Sequence, residues 1–132
     1  MQYDESTDLL IHTGDFIAKA SLKDSLSVLS FFASHNITGV RGNHDQQVIE
    51  WRGWINNVLS YRGGKEWLED LEKKSKEELR ELTKKSYDLY PNWKRIPEGW
   101  ELMGDHYSIA RSVICSQVYY LPLLIFLFSL VR

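Results

Sequence analysis

The chain has little of what extracellular and nucleic-acid-binding proteins rely on. It contains one cysteine, Cys115, among 132 residues, which excludes an internal disulfide framework and suits a reducing or redox-indifferent environment. Its formal net charge is −2, so no basic excess favours nucleic acid or the electrostatic capture of long polyanions. The first apolar run is too short for a signal sequence. We therefore expect a cytoplasmic protein without a nucleic-acid partner.

Two short apolar runs near the start of the chain are each followed by a glycine and by side chains that carry chemistry. The first run, residues 8–12, leads to Gly14 and Asp15, and the second, residues 37–41, leads to Gly-Asn-His-Asp at 42–45. Short apolar runs bounded by polar residues are typical of buried parallel strands. Because α/β sheets bind ligands at the carboxyl ends of such strands, the two turns are the candidate site.

The segment between the two runs has the pattern of an amphipathic helix. Ser21 is a candidate N-cap with Asp24 three residues later, and Asn36 is a candidate left-handed stop. Apolar residues recur along one face, which we expect to pack on the sheet: Leu22, Leu26, Leu29 and Phe32. The order strand, helix, strand predicts a right-handed βαβ unit and therefore an α/β fold.

The two turns resemble those of the metallophosphoesterase (calcineurin-like phosphoesterase) superfamily, in which a Gly-Asp turn is followed one βαβ unit later by a Gly-Asn-His-Asp type turn. The sequence is most similar to the Ser/Thr-phosphatase-like branch, and within it to fungal-type zinc-dependent endopolyphosphatases; residues 14–19, 40–45 and 51–54 carry this likeness. The resemblance implies a hydrolase of phosphoesters or phosphoanhydrides. It also implies an α/β/β/α sandwich, here partial: an N-terminal βαβ unit followed by helices, with the second sheet missing.

The resemblance gives each residue of the two turns a role. Asp15 would bridge two divalent metal ions, and the amide oxygen of Asn43 would complete a coordination shell. Metals held about 3.5–4 Å apart activate a water molecule for in-line attack on phosphorus, and Zn, Mn, Fe and Mg are not distinguished. His44 would protonate the leaving oxygen, with Asp45 orienting its ring.

Two cations, Lys19 and Arg41, are the candidate contacts for substrate phosphate. Lys19 falls where the phosphatases carry arginine, although lysine cannot make the bidentate fork that arginine makes on phosphate. The expected substrate is a phosphorylated small molecule, a phosphoprotein or polyphosphate. The endopolyphosphatase likeness would move the expected localisation to the vacuole, and the oligomeric state is left open.

Parts of the family pattern are missing from the sequence. No Asp-x-His motif precedes residue 8, and no Gly-x-His-x-His motif follows the second turn. The other Gly-Asp pair, at 104–105, precedes His106; we expect a helix start at Asp105 and a surface residue at His106. We therefore predict that the chain is a fragment of the family fold, in which residues 1–111 form a partial calcineurin-like phosphoesterase domain. An inactive fragment or binding module with half a metal site is the alternative function.

Helices are predicted for most of the remaining chain. Residues 46–60 show helical spacing, residues 65–85 are interpreted as one charged helix, and residues 90–99 as a loop. From Ser112 to Val131 there is no charged residue. We interpret the apolar segment 112–132 as part of a core, because Leu121-Pro122-Leu123 resembles a segment that precedes a later strand in phosphatase-like relatives. Its dense run is broken by Pro122 and is shorter than the roughly 20 residues of a membrane helix. A membrane tail anchor and sequence that is not native to the fold are the alternatives.

Overall fold

The computed structural model describes residues 2, 4, 6–15, 21–35, 37–97 and 101–115. Two short strands and five α-helices follow one another in the order β1 (Ile11–His12), α1 (Leu22–Ser34), β2 (Thr38–Gly39), α2 (Asn43–Leu59), α3 (Gly64–Glu72), α4 (Lys76–Leu89) and α5 (Asp105–Cys115), with a 3-10 helix at Asn92–Lys94 between α4 and α5. The described part of the chain is therefore mostly helical, with a small sheet at its N-terminal end.

The two strands pair in parallel, as the sequence predicts. Ile11 lies opposite Thr38, and His12 lies opposite Gly39. Both strands are shorter than expected, and the first is not buried: the exposed fractions of Leu9, Leu10 and Ile11 are 73%, 44% and 59%. Helix α1 contacts α5, and its residues Leu26, Leu29 and Phe32 pack into the main core.

Helix α1 begins where its capping signal predicts. Ser21 is the N-cap, and its hydroxyl oxygen accepts a hydrogen bond from the backbone N–H of Asp24 at 3.1 Å. Leu29 is fully buried on the inner face and Phe32 packs against the same core, whereas Leu22 stays largely exposed. His35 is the C-cap; the predicted stop at Asn36 lies outside the described residues.

The core is centred on α2. Trp51, Ile55 and Val58 of this helix have no exposed surface, and α2 makes its most extensive contact with α5. Val48 of the same helix and buried side chains from the surrounding segments complete the cluster: Leu29, Leu68, Leu71, Leu79, Ile96, Leu102, Tyr107, Ile109 and Ala110. At roughly 1.5–3 kcal/mol for each large apolar side chain removed from water, this cluster is the main source of stability.

The single charged helix predicted for residues 65–85 is wrong, because the chain breaks it in two. Helix α3 ends at Glu72 with Lys73 as its C-cap, and α4 starts after Ser75. The Ser75 hydroxyl accepts from the N–H of Glu78 at 3.3 Å, while the Glu78 carboxylate accepts from the N–H of Ser75 at 3.2 Å. This reciprocal capping box restarts the helix in a new direction, and its Ser-x-x-Glu signal is present in the sequence.

The loop after α4 is held against the body of the protein, as expected for residues 90–99. The Trp54 indole N–H donates to the Arg95 carbonyl at 2.8 Å, and the N–H of buried Ile96 donates to the hydroxyl of buried Ser86 at 3.2 Å. Trp93 stacks on Tyr61 with their ring centroids 4.8 Å apart. Residues 98–100 lie outside the described part of the chain.

Among the helices of the described residues, none combines the length and the apolar character needed to cross a membrane. The interpretation of the apolar segment 112–132 stays a prediction, because the described residues end at Cys115.

Replacing the N-cap of α4 tests the break between α3 and α4. Ser75→Ala should lower the free energy of unfolding by about 1 kcal/mol, because it leaves the Glu78 N–H without its acceptor. Ser27→Ala is the matched control: its hydroxyl donates to the Lys23 carbonyl inside α1, and its removal should change stability by less than about 0.5 kcal/mol. Urea unfolding followed by tryptophan fluorescence measures both. Equal effects would show that the capping box does not set the break.

Candidate functional site

The structure brings the two predicted turns into direct contact. The carboxylate oxygen Oδ1 of Asp15 accepts a hydrogen bond from the backbone N–H of His44 at 3.0 Å. In the opposite direction, the N–H of Asp15 donates to Oδ2 of Asp45 at 2.9 Å. Residues 29 and 30 positions apart in sequence are thereby fixed to each other. Asp15 also lies at the first turn of α2, where the helix dipole favours a negative charge.

Two glycines make this close approach feasible. Gly14 has φ 105°, in the region that side chains rarely adopt. A β-carbon added at Gly42 would lie 1.9 Å from Oδ1 of Asp15, and one added at Gly14 would lie 2.9 Å from the Gly42 nitrogen. Both turns thus need a residue without a side chain at their point of contact. Asp15 itself has φ 55°, a conformation that aspartate tolerates better than most residues.

The described hydrogen bonds of Asp45 go to the backbone of the two turns. We expected its carboxylate to orient the His44 ring, but its Oδ2 accepts from the backbone N–H groups of Gly42 and Asp15, each at 2.9 Å. Asp45 is fully buried and is the third residue of α2. Because a carboxylate at this position satisfies the backbone donors of the helix start, Oδ2 of Asp45 stabilises the two turns.

The His44 ring is hydrogen-bonded to His106, which was predicted to be a surface residue. Nδ1 of His44 lies 2.7 Å from Nε2 of His106. The prediction that Asp105 begins a helix is confirmed. His106, at the start of α5, is partly exposed and partly buried. The Gly-Asp-His sequence at 104–106 does not predict this contact, because the two histidines are 62 positions apart in the chain.

Burial lowers the pKa of His106 below the ordinary value of 6.5, and neighbouring His44 lowers it further. Three carboxylates oppose these effects: Asp105, Glu101 and Asp45. Because burial penalises the charged imidazolium, the net result favours neutral His106 near neutral pH. A neutral imidazole has one N–H and one bare nitrogen, so it can either donate to or accept from Nδ1 of His44.

The remaining predicted residues lie at the rim of the two turns or outside the described part. Asn43 is the first residue of α2 and is exposed. Arg41 is half-buried, and its guanidinium donates to the side-chain carbonyl of Gln46 at 3.2 Å. Lys19 lies outside the described residues. The structure therefore brings Asp15, residues 41–45 and His106 into one region.

Asp15 and Asn43 are suitable in chemistry as two metal ligands, a carboxylate and an amide oxygen. Within the described ranges, however, no group of three His, Cys, Asp or Glu side chains is arranged to hold a metal ion. A catalytic zinc takes three protein ligands in addition to water. The described residues thus do not form a metal centre by themselves.

Comparison with known proteins agrees with the geometry of the turns. The model of the calcineurin-like phosphoesterase family matches residues 2–122, and the chain belongs to this family. Membership implies metal-dependent hydrolysis of phosphoesters at the level of the family.

The chain is also similar to serine/threonine-protein phosphatase 1 of Salmonella typhimurium, with 33% identity over 66 residues. The match covers 50% of this chain and 30% of that phosphatase. The chain therefore spans less than a third of the length of this curated relative. No solved structure matches the chain.

Truncating the Asp45 carboxylate should destabilise the protein strongly. Asp45→Ala leaves the N–H groups of Gly42 and Asp15 without this acceptor in a buried environment, at a cost of about 3 kcal/mol in the free energy of unfolding. Asp24→Ala is the matched control, because Asp24 is also the third residue of its helix but is exposed; its effect should stay below about 1 kcal/mol. Chemical denaturation decides, and similar losses for both variants would contradict a special role for Asp45.

The stability of the protein should fall as the pH drops through the range below 6.5, the ordinary pKa of His106. Because the folded-state pKa of His106 is lowered, the folded chain binds fewer protons than the unfolded chain in that range, so its contribution is complete above 6.5 and is lost on acidification.

The measurement is the difference in urea midpoint between pH about 7.5 and pH about 5.5. His106→Gln should make this difference smaller, whereas His35→Gln, at the exposed end of α1, should leave it unchanged. An unaltered pH dependence in the His106 variant would contradict the lowered pKa.

Proposed function

We propose that this chain contributes part of the active site of a metal-dependent phosphoesterase. The observation that supports this most directly is the hydrogen bond from the backbone N–H of His44 to the Asp15 carboxylate, at 3.0 Å. It places the Asp15 carboxylate at the start of α2, the helix that carries the Asn43 amide and the His44 imidazole. These are the group types that metal-assisted hydrolysis of phosphate esters requires.

Each residue then has one task. Asp15 and Asn43 bind metal, which supplies a Lewis acid and an activated water when present. One oxygen of the Asp15 carboxylate is held by the His44 N–H, which fixes the orientation of the group and leaves its second oxygen for the metal. His44 carries the proton for the leaving oxygen, since an imidazole titrates close to neutral pH. Further metal ligands come from outside the described residues.

The proposed substrate class is a phosphoester of a protein or a small molecule, with polyphosphate as the alternative suggested by the endopolyphosphatase resemblance. Arg41 is the proposed phosphate contact among the described residues. Its guanidinium already donates to Gln46, which holds it beside the start of α2. Lys19 is proposed as a second cation from the first turn.

A non-catalytic module with half a metal site is the second candidate function. It is favoured by the arrangement of the described residues, among which no three His, Cys, Asp or Glu side chains converge. The two functions differ in one measurable respect: the module binds a divalent ion weakly at Asp15 and Asn43 without turning over a phosphate ester.

Substitution of Asp15 and His44 tests the proposed roles. Asp15→Asn should reduce metal binding and phosphatase activity together, because it removes the charged ligand. His44→Asn should keep the metal while turnover falls by roughly 10²–10⁴-fold, as is typical when a general acid is lost. Metal content after dialysis against Mn²⁺ or Zn²⁺, and hydrolysis of p-nitrophenyl phosphate, measure the two effects separately.

Asp24→Asn, on the exposed start of α1, is the control variant for both measurements. An equal loss of metal in the Asp15 and His44 variants would mean that His44 is a ligand. Metal binding by the unsubstituted chain with no turnover on any phosphate ester would favour the non-catalytic module.

A further inference from the structure

The position of His106 relative to His44 is fixed by the packing of two helices. The Tyr107 ring, next to His106 at the start of α5, is buried and meets the Trp51 ring of α2 edge-on at a centroid distance of 5.2 Å. The Tyr107 hydroxyl donates to the Glu72 carboxylate at 2.8 Å, and the Arg111 guanidinium donates to the same oxygen at 2.8 Å. The first two turns of α5 are therefore held by contacts with α2, through Trp51, and with α3, through Glu72.

The two imidazole rings meet edge to edge, not face to face. Their planes are 11° from parallel and their centroids are 5.0 Å apart, while Nδ1 of His44 and Nε2 of His106 are separated by 2.7 Å. The two ring radii added to this N···N distance account for nearly all of the centroid separation. The hydrogen bond therefore runs close to the planes of both rings, along the lone-pair direction that makes such bonds strongest.

This geometry decides which nitrogen of His44 is available. Nδ1 is occupied by His106, so Nε2 is the ring nitrogen left to face a substrate. If His106 donates its Nε2–H, the neutral His44 carries its own proton on Nε2 and directs it at a leaving oxygen; transfer of that proton balances when the His106 Nε2 proton moves to Nδ1 of His44. If His44 donates instead, its Nε2 is a bare acceptor. The histidine partner thus couples the orientation of His44 to its tautomer.

We propose that His106 is the positioning residue of His44, holding Nδ1 in the plane of both rings so that Nε2 is presented to the substrate. The inference rests on the proposed function of His44 as the proton donor. In this proposal His106 takes the role of orienting the His44 ring that the sequence analysis gave to Asp45. The Oδ2 of Asp45 accepts from two backbone N–H groups. His106 does not itself touch substrate in this role.

Nuclear magnetic resonance of the histidine rings in the 132-residue chain tests the contact without depending on activity. The chain has four histidines, so the ring signals of His44 are assigned by their loss in His44→Gln. In the unsubstituted chain at neutral pH, the long-range ¹H–¹⁵N pattern of His44 should show one dominant tautomer. His106→Leu should convert it to the averaged pattern of an unrestrained imidazole, while His106→Gln, whose amide can donate or accept, should restore much of the original pattern.

The His35→Gln variant is the control, since the His35 ring contacts the Phe31 carbonyl at the end of α1 and should leave the His44 pattern unchanged. Trp51 indole signals report whether the α2–α5 contact survives in each variant. An unchanged His44 pattern in a folded His106→Leu variant would overturn the inference. Loss of the pattern in His106→Leu and its recovery in His106→Gln would support it.

Turnover measurements separate this inference from the proposed function. With p-nitrophenyl phosphate, His106→Leu should lower kcat by about 10–100-fold, as is usual for loss of a group that orients a catalytic side chain, with little change in KM. Active unsubstituted protein whose kcat is insensitive to His106→Leu would overturn the positioning role and leave the proposed function standing. No turnover by the unsubstituted protein, with the ring coupling present, would reject the proposed function while the ring pattern still supports His106 as the partner of His44.

Discussion

The buried carboxylate of Asp45 is the interaction on which the site depends. Its Oδ2 accepts from Asp15 and Gly42 and so joins the end of the first strand to the start of α2. Buried backbone N–H groups are costly to leave without an acceptor, so a buried carboxyl oxygen that accepts from two of them stabilises the fold. Without this group, the N–H of Asp15 would be held by neither strand nor helix. The chemistry assigned to the neighbouring residues follows from this structural carboxylate.

The contact between α2 and α5 is the second constraint. Helix α2 carries His44 at its start and Trp51 two turns later, and α5 carries His106 and Tyr107 at its own start. Burial of Trp51 and Tyr107 brings the beginnings of both helices together. Apolar burial is not directional, but close packing of two rigid helices transmits position to the side chains beside the contact. The contact between Trp51 and Tyr107 thus places His44 and His106 next to each other.

Glu72 shows how the break between α3 and α4 supports the same arrangement. A continuous helix through residues 65–85 would extend the charged face of α3 into solvent. The break after Glu72 leaves its carboxylate at a helix end, where it accepts from both Tyr107 and Arg111. This partly exposed ion pair is worth little as a charge pair alone. Its value is geometric, because it joins α5 to the end of α3.

The sequence alone determined the local features of this protein. The capping signal of Ser21 and the chemistry of the two glycine-containing turns are each encoded within a few neighbouring residues, and the order strand, helix, strand predicted the parallel pairing. The resemblance to the family follows from these features. The break at Ser75 was also encoded, by Ser-x-x-Glu, but the regular charge pattern on either side of it favours one helix. Local signals of this kind are read from spacing, and they compete with one another.

Only the tertiary structure decided which side chains meet. The roles of Asp45 and His106 depend on contacts between residues 30 and 62 positions apart, and no spacing rule relates such positions. The contact of α1 with α5 has the same origin, because it too joins segments that are distant in sequence. Sequence supplies the chemical groups and the ends of the elements. The burial of Trp51 and Tyr107 between two helices determines which histidine is the partner of His44, since long-range packing alone fixes distances between segments that the chain separates.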